Sequence, residues 1–75
     1  MANVLTDSQL ITMLLNRLER ISADSVWAHR ASGIRGSLFR ELDQLQAGKG
    51  TNPKSLWDLI GTAFHILREA AKLNG

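Results

Sequence analysis

The sequence predicts an all-α fold, an up-down-up bundle of three helices that forms a single domain over residues 1–75. Three long segments repeat apolar residues at the three- and four-residue spacing of amphipathic helices, and no segment alternates with the two-residue period of a strand. Turn-forming clusters at residues 22–25 and 48–53 separate the three segments. Because these connections are short, consecutive helices are expected to run antiparallel.

The first segment predicts a helix from about Asp7 to Ile21. Thr6 or Asp7 can cap it, because a short side-chain oxygen accepts hydrogen bonds from the exposed N–H groups of the first turn. Gln9 follows Thr6 at the spacing of a capping box. The apolar residues that define its inner face are Leu10, Ile11, Leu14, Leu15, Leu18 and Ile21.

The second segment predicts a long central helix over about residues 24–47, with Ser22 as its cap and Gly48 as its C-terminal stop. Gly33 and Gly36 lie inside it, and each costs about 1 kcal/mol relative to alanine. A kink near these glycines is therefore the alternative to one straight helix. An uninterrupted core stripe favours one helix. The members of this stripe are Trp27, Ala31, Ile34, Leu38, Leu42 and Leu45.

The third segment predicts a helix that begins at Pro53 and runs to about Leu73. Asn52 is suited to cap it, and proline is favoured in the first turn of a helix because its missing N–H group would have no partner there. Asn74 and Gly75 form a natural stop.

Composition narrows the classes of protein. The chain has no Cys, so disulfides are excluded, and its two His residues do not make a structural zinc site. No stretch approaches the roughly 18 uncharged apolar residues of a membrane span, and no basic segment precedes a long apolar run near the start. We therefore expect neither a membrane partner nor a signal peptide, and a cytoplasmic location.

The apolar arcs of the first and third helices are wide. On a helical wheel each arc covers roughly 200°, from Met13 round to Leu15 in the first helix and from Leu73 round to Trp57 in the third. A helix packed on one side has a stripe a little over about 100° wide. One interpretation is contact with two neighbouring helices inside the bundle, and the other is burial against a second copy or another protein.

A strip of small residues runs beside the core stripe of the second helix. Ala28, Ser32 and Gly36 repeat at four-residue spacing, Phe39 follows them, and Arg35 lies at the edge. Small side chains let a second backbone approach closely. The strip either receives another helix of the same bundle or forms a partner interface anchored by Phe39.

The second helix also carries the most basic part of the chain. Residues 25–40 contain three Arg and one His but no acid. His29, Arg30 and Arg40 are candidate anion contacts, because guanidinium groups bind phosphate through paired N–H donors. The Arg residues do not all share one helical face, which favours an ordinary solvated surface over a nucleic-acid site.

No pattern of catalytic residues is present. His29 and His65 fall on different helices without a nucleophile at a matching spacing, and the turn at residues 48–50 lacks the length and the ending of a phosphate loop. We therefore expect no enzyme activity, with no catalytic residue, metal or cofactor site.

The sequence favours a helical protein–protein interaction module that self-associates as a homo-oligomer or docks as an adaptor through apolar helix faces. The alternative is a small nucleic-acid- or phosphate-binding protein that uses the basic second helix. We accordingly expect a protein partner or a homodimer, and place nucleic acid second.

Overall fold

Three helices pack against one another in the structure, a computed structural model that describes the backbone of residues 6–74 and the side chains of residues 6–72. Helix α1 spans Asp7–Glu19, α2 spans Ala28–Gln46 and α3 spans Pro53–Asn74. Residues 6–74 contain no strand. The start of α1 lies beside the end of α2, and Trp27, just before α2, contacts His65 in the second half of α3. These contacts confirm an antiparallel three-helix bundle.

The N-terminus of α1 is capped as predicted. The hydroxyl oxygen of Thr6 accepts from the backbone N–H of Gln9 at 3.2 Å, and Oε1 of Gln9 accepts from the backbone N–H of Thr6 at 3.0 Å. The helix ends two residues before the predicted end. The N–H groups of Arg20 and Ile21 each donate to the carbonyl three residues earlier, which tightens the last turn.

The start of α2 differs from the prediction. The helix begins at Ala28 rather than near residue 24, and Ser22 does not cap it. The hydroxyl oxygen of Ser22 accepts from the N–H of Asp24 at 3.3 Å, and that of Ser25 accepts from the N–H of Trp27 at 3.1 Å. Such local serine bonds compete with helical ones, so residues 22–27 form successive turns and no side chain caps α2.

The end of α2 is the glycine stop that the sequence predicts. Gly48 has a φ of 75°, a left-handed conformation that residues with a β-carbon rarely adopt. The N–H of Gly48 donates to the carbonyl of Leu45 at 3.2 Å, and the N–H of Lys49 donates to that of Gln44 at 2.9 Å. This pair of bonds is a Schellman motif. Between its ends, α2 is unbroken through residues 33–36.

Helix α3 also begins as predicted. Oδ1 of Asn52 accepts from the N–H of Lys54 at 3.0 Å and from that of Ser55 at 3.3 Å, with Pro53 as the first helical residue. The helix extends to Asn74, one residue beyond the predicted end.

None of the three helices described here combines the length and the apolar character that a bilayer span needs.

The core is aliphatic. Of the described side chains, those that are buried come only from leucine, isoleucine and alanine, and no polar side chain is among them. The predicted stripe of α2 faces this core, with two members buried and four partly buried against it. The buried residues are Ile11, Leu14, Leu15, Leu18, Ala31, Leu38, Leu56, Ile60, Ala63, Ile66 and Ala70.

Candidate interaction surfaces

Aromatic side chains lie mainly at the surface. The chain has four, two Trp and two Phe. Trp57 is 57 % exposed, Phe39 is 48 % exposed and Phe64 is 47 % exposed, whereas Trp27 is partly buried. Phenylalanine is ordinarily among the most buried residue types. The aliphatic core therefore leaves much of the largest apolar area on the outside of the bundle.

The small-residue strip of α2, defined as Ala28, Ser32, Gly36 and Phe39, is largely open to solvent. Ala28 is partly buried, whereas Ser32 and Gly36 are exposed. Apart from its chain neighbours and the backbone of its own helical turns, a β-carbon built on Gly36 would meet no atom of the described residues within 4 Å. Neither α1 nor α3 therefore packs on the strip at Gly36, and the interpretation that places another helix of the bundle there fails at this position.

Arg35 lies at the edge of this strip, as predicted, and links α2 to α1. Its Nη2 donates to Oε1 of Glu19 at 3.1 Å, with about a third of the Arg35 side chain exposed. A solvent-exposed ion pair contributes about 0–1 kcal/mol. The pair shows that the strip borders the α1–α2 contact, so a partner on the strip would also meet the outer edge of α1.

The three candidate anion contacts do not form one cluster. The guanidinium of Arg30 lies 5.4 Å from the centre of the Trp27 ring, a cation–π distance, and Nη2 of Arg40 donates to the Ser37 hydroxyl at 3.3 Å. His29 is exposed. Helical geometry places His29 and Arg40 on one flank of α2, and Arg30 roughly 100° away from it.

The sequence-based site omitted an exposed surface on α3. Trp57 and Phe64 lie two turns apart on one face of the helix, with the exposed Gly61 between them. A β-carbon on Gly61 would likewise meet nothing within 4 Å among the described residues beyond its own helical turns. We call these three residues the α3 stripe. The spacing of four and then three residues is present in the sequence. Trp57 and Phe64, however, lie inside the predicted apolar arc of α3, which was interpreted only as a whole.

Basic side chains border the α3 stripe. Lys54 and Arg68 are exposed on the same side of the helix. Lys72, one turn beyond Arg68, holds Glu69 through a contact of 2.8 Å between Nζ and Oε2. The hydrogen bond from Lys72 and the nearby cations lower the pKa of Glu69 below its ordinary value of 4.5. Two basic residues, Arg68 and Lys72, stand against one acid, Glu69, in the second half of α3.

A polar groove of about 400 Å³ lies between α2 and α3, on the side of α3 that faces away from the α3 stripe. Oε2 of Glu41 is buried there without a hydrogen-bond partner among the described residues. Within residues 6–74, no three His, Cys, Asp or Glu side chains are placed to share a metal ion. The groove is lined by Ser37, Arg40, Glu41, Ser55, Asp58, Leu59 and Thr62.

Fold and surface together define a small all-α three-helix bundle with exposed aromatic side chains on two of its helices. Comparisons of the chain with protein-family models, with curated proteins and with solved structures find no match. The chemistry of its own surfaces is therefore what bears on its function.

Proposed function

We propose that this chain is a small helical protein–protein interaction module that self-associates or docks on another protein through apolar helix faces. The observation that carries the proposal is the half-exposure of three of the four aromatic side chains. A fully buried aromatic side chain removes about 150–250 Å² from water, so each half-exposed ring still offers on the order of 100 Å² to a partner. Aromatic residues are also enriched where proteins meet.

The α2 strip supports the same proposal from the backbone. A glycine inside a helix costs about 1 kcal/mol relative to alanine, and the space around Gly36 would accept a methyl group. Packing inside the monomer therefore does not require glycine at this position. A partner helix that approaches the backbone closely would require it, with Phe39 as the anchor and Arg35 at the polar rim.

The test is Gly36→Leu, with Gly33→Leu as the matched control. Both glycines are exposed, lie in the same helix and have open space around them. We expect both variants to keep their helical circular dichroism. If the unaltered chain self-associates in sedimentation velocity, Gly36→Leu should lose that association, whereas Gly33→Leu should keep it. A folded Gly36→Leu variant with unchanged mass and partners would show that the strip is not an interface.

The mass of the unaltered chain in solution distinguishes self-association from docking on a different protein. A mass that rises with concentration supports self-association, because dimer formation follows mass action. A strict monomer at high concentration excludes self-association and leaves docking on a different protein.

Binding of phosphate or nucleic acid by α2 is the second candidate function. His29 and Arg40 share a flank with Gly33 and Gly36, and the open space at both glycines would admit an anion to the helix. Salt separates the two functions. Binding to nucleic acid weakens steeply as salt rises because counterions are released on association, whereas apolar association holds or strengthens. We expect titrations across a salt series to show the apolar pattern.

A further inference from the structure

The α3 stripe is a surface separate from the groove shared with α2. The residues of α3 that line that groove include Ser55, Asp58 and Thr62. On a helical wheel they lie roughly 90–155° from the mean direction of the stripe. The stripe therefore points away from α2, and no atom of α1 or α2 lies within 4 Å of a β-carbon placed on Gly61.

Gly61 makes no close contact with the other two helices of the monomer. It lies in the interior of α3, where glycine costs about 1 kcal/mol relative to alanine. Its neighbours Ile60 and Ala63 are buried and supply the core contact of this turn, whereas Gly61 itself is exposed. A close approach by a backbone from outside the bundle would account for a glycine between two half-exposed rings.

The charge on this face selects the partner. Lys54 and Arg68 lie within about 60° of the mean direction of the stripe, and so does Lys72, whose charge is offset by its pairing with Glu69. The two acids of α3, Asp58 and Glu69, lie outside that arc, and Glu69 is paired with Lys72. A surface of aromatic and cationic groups is complementary to one of apolar and anionic groups.

A second copy of the chain does not fit the stripe. Antiparallel pairing about Gly61 would set Lys54 of one copy against Arg68 of the other, because each lies seven residues from Gly61. Parallel pairing would set each cation against its own equivalent. Like charges in such positions are destabilising.

We propose that the α3 stripe docks an acidic amphipathic helix of another protein. Its apolar ridge packs over Gly61 between Trp57 and Phe64, which lie about 10 Å apart along the helix axis, and its carboxylates pair with Lys54 and Arg68. The span from Lys54 to Arg68 is about 21 Å, the length of a four-turn helix. This inference rests on the proposed function and names the partner of a second surface.

The experiment is a selection from a displayed library of 18-residue amphipathic helices by the full chain. The apolar positions are constant, and the flanking positions are randomised among Glu, Gln, Ser and Lys. We expect Glu to be enriched over Lys at the flanks. Selected helices should bind the Gly61→Leu variant at least tenfold more weakly than the unaltered chain in fluorescence anisotropy, whereas Gly33→Leu should bind them unchanged.

Three results would overturn the inference: no enrichment of Glu over Lys, equal binding to Gly61→Leu, or tighter Gly61-dependent binding of a 15-nucleotide single-stranded DNA than of the best helix. Circular dichroism checks that Gly61→Leu is folded, and Trp57→Ser provides a second variant that leaves the core unchanged. Helices blocked by Gly36→Leu but not by Gly61→Leu would support the α2 strip alone. Failure of this inference is thereby distinguished from failure of the proposed function.

Discussion

Helices α1 and α3 both carry apolar residues over roughly 200° of their circumference, yet they meet solvent differently. The arc of α1 is taken up inside the bundle: Leu15 is buried, and Met13 is partly buried against the core. The arc of α3 reaches the surface, where Trp57 and Phe64 are half exposed. The side chain of Leu73, which closes the predicted arc of α3, lies outside the described residues.

The difference shows that the width of an apolar arc does not by itself predict a docking surface. Contact with two neighbouring helices accounts for all of the arc in α1 and only part of it in α3. The residues left outside in α3 are large aromatic rings at the edge of the arc, where the adjoining aliphatic residues already fill the core. Apolar surface that the bundle does not bury is therefore identified by the size and position of the side chains at the edge of the arc.

The largest loss of stability is expected from a substitution in the buried arc of α1. Leu14 is fully buried, and Leu14→Ala should cost about 2–5 kcal/mol, which approaches the roughly 3–5 kcal/mol that the core of a small domain supplies. Phe64→Ser should cost about 1 kcal/mol or less, because it alters a surface position. Urea denaturation followed by circular dichroism measures both. Similar losses would show that Phe64 belongs to the folding core.

Substitution of alanine for glycine should change the stability of the chain in opposite directions at two positions. Gly48→Ala should destabilise the chain by about 1–2 kcal/mol, because φ at this position is positive. Gly61→Ala should stabilise it by up to about 1 kcal/mol, because the helix gains propensity and the methyl group meets no atom. Thermal melting should show the shifts in opposite directions. A lower melting temperature for Gly61→Ala would mean that the monomer needs glycine there.

The capping side chains at the helix N-termini should give a third, smaller difference in stability. Thr6→Ala and Asn52→Ala should each cost about 1 kcal/mol, because each side chain accepts from N–H groups in the first turn of its helix. Ser22→Ala should change stability little, because its hydroxyl accepts only within the turn before α2. Denaturant midpoints compare the three variants. A loss at Ser22 as large as at Thr6 would contradict the observed start of α2.

The smallest effect concerns Glu69 and pH. Its pKa is lower in the folded state than in the unfolded state, so its pairing with Lys72 stabilises the fold above about pH 4.5 and is lost as pH falls through the folded pKa. Glu69→Gln should therefore be slightly less stable than the unaltered chain near neutral pH. That difference should vanish in acid. Stability measured across pH would contradict the pairing if the difference persisted there.

Most of the fold was predictable because its determinants are local. The capping box of α1, the Asn52–Pro53 start of α3 and the stop at Gly48 each depend on bonds between residues at most five apart. The predicted start of α2 was wrong, and the reason is also local. Ser22 and Ser25 can cap a helix or close a turn, and the sequence pattern does not rank two such bonds of similar strength.

The candidate surfaces were less predictable. Phe39 and Gly36 were identified from their spacing, and the structure leaves both exposed. The α3 stripe was missed because Trp57 and Phe64 belong to the same apolar arc as residues that are buried, such as Ile60. Periodicity shows that these residues share a side of the helix, but not how far the neighbouring helices extend around it.

The sequence alone determined the number of helices, two of their three starting points and the face that each turns inward. These features follow from bonds within a turn and from the removal of a continuous apolar stripe from water. Only the tertiary structure decided which aromatic rings stay outside. That outcome depends on how the three helices pack, because a core filled by leucine, isoleucine and alanine admits Trp27 at its margin and leaves Phe39, Trp57 and Phe64 half exposed.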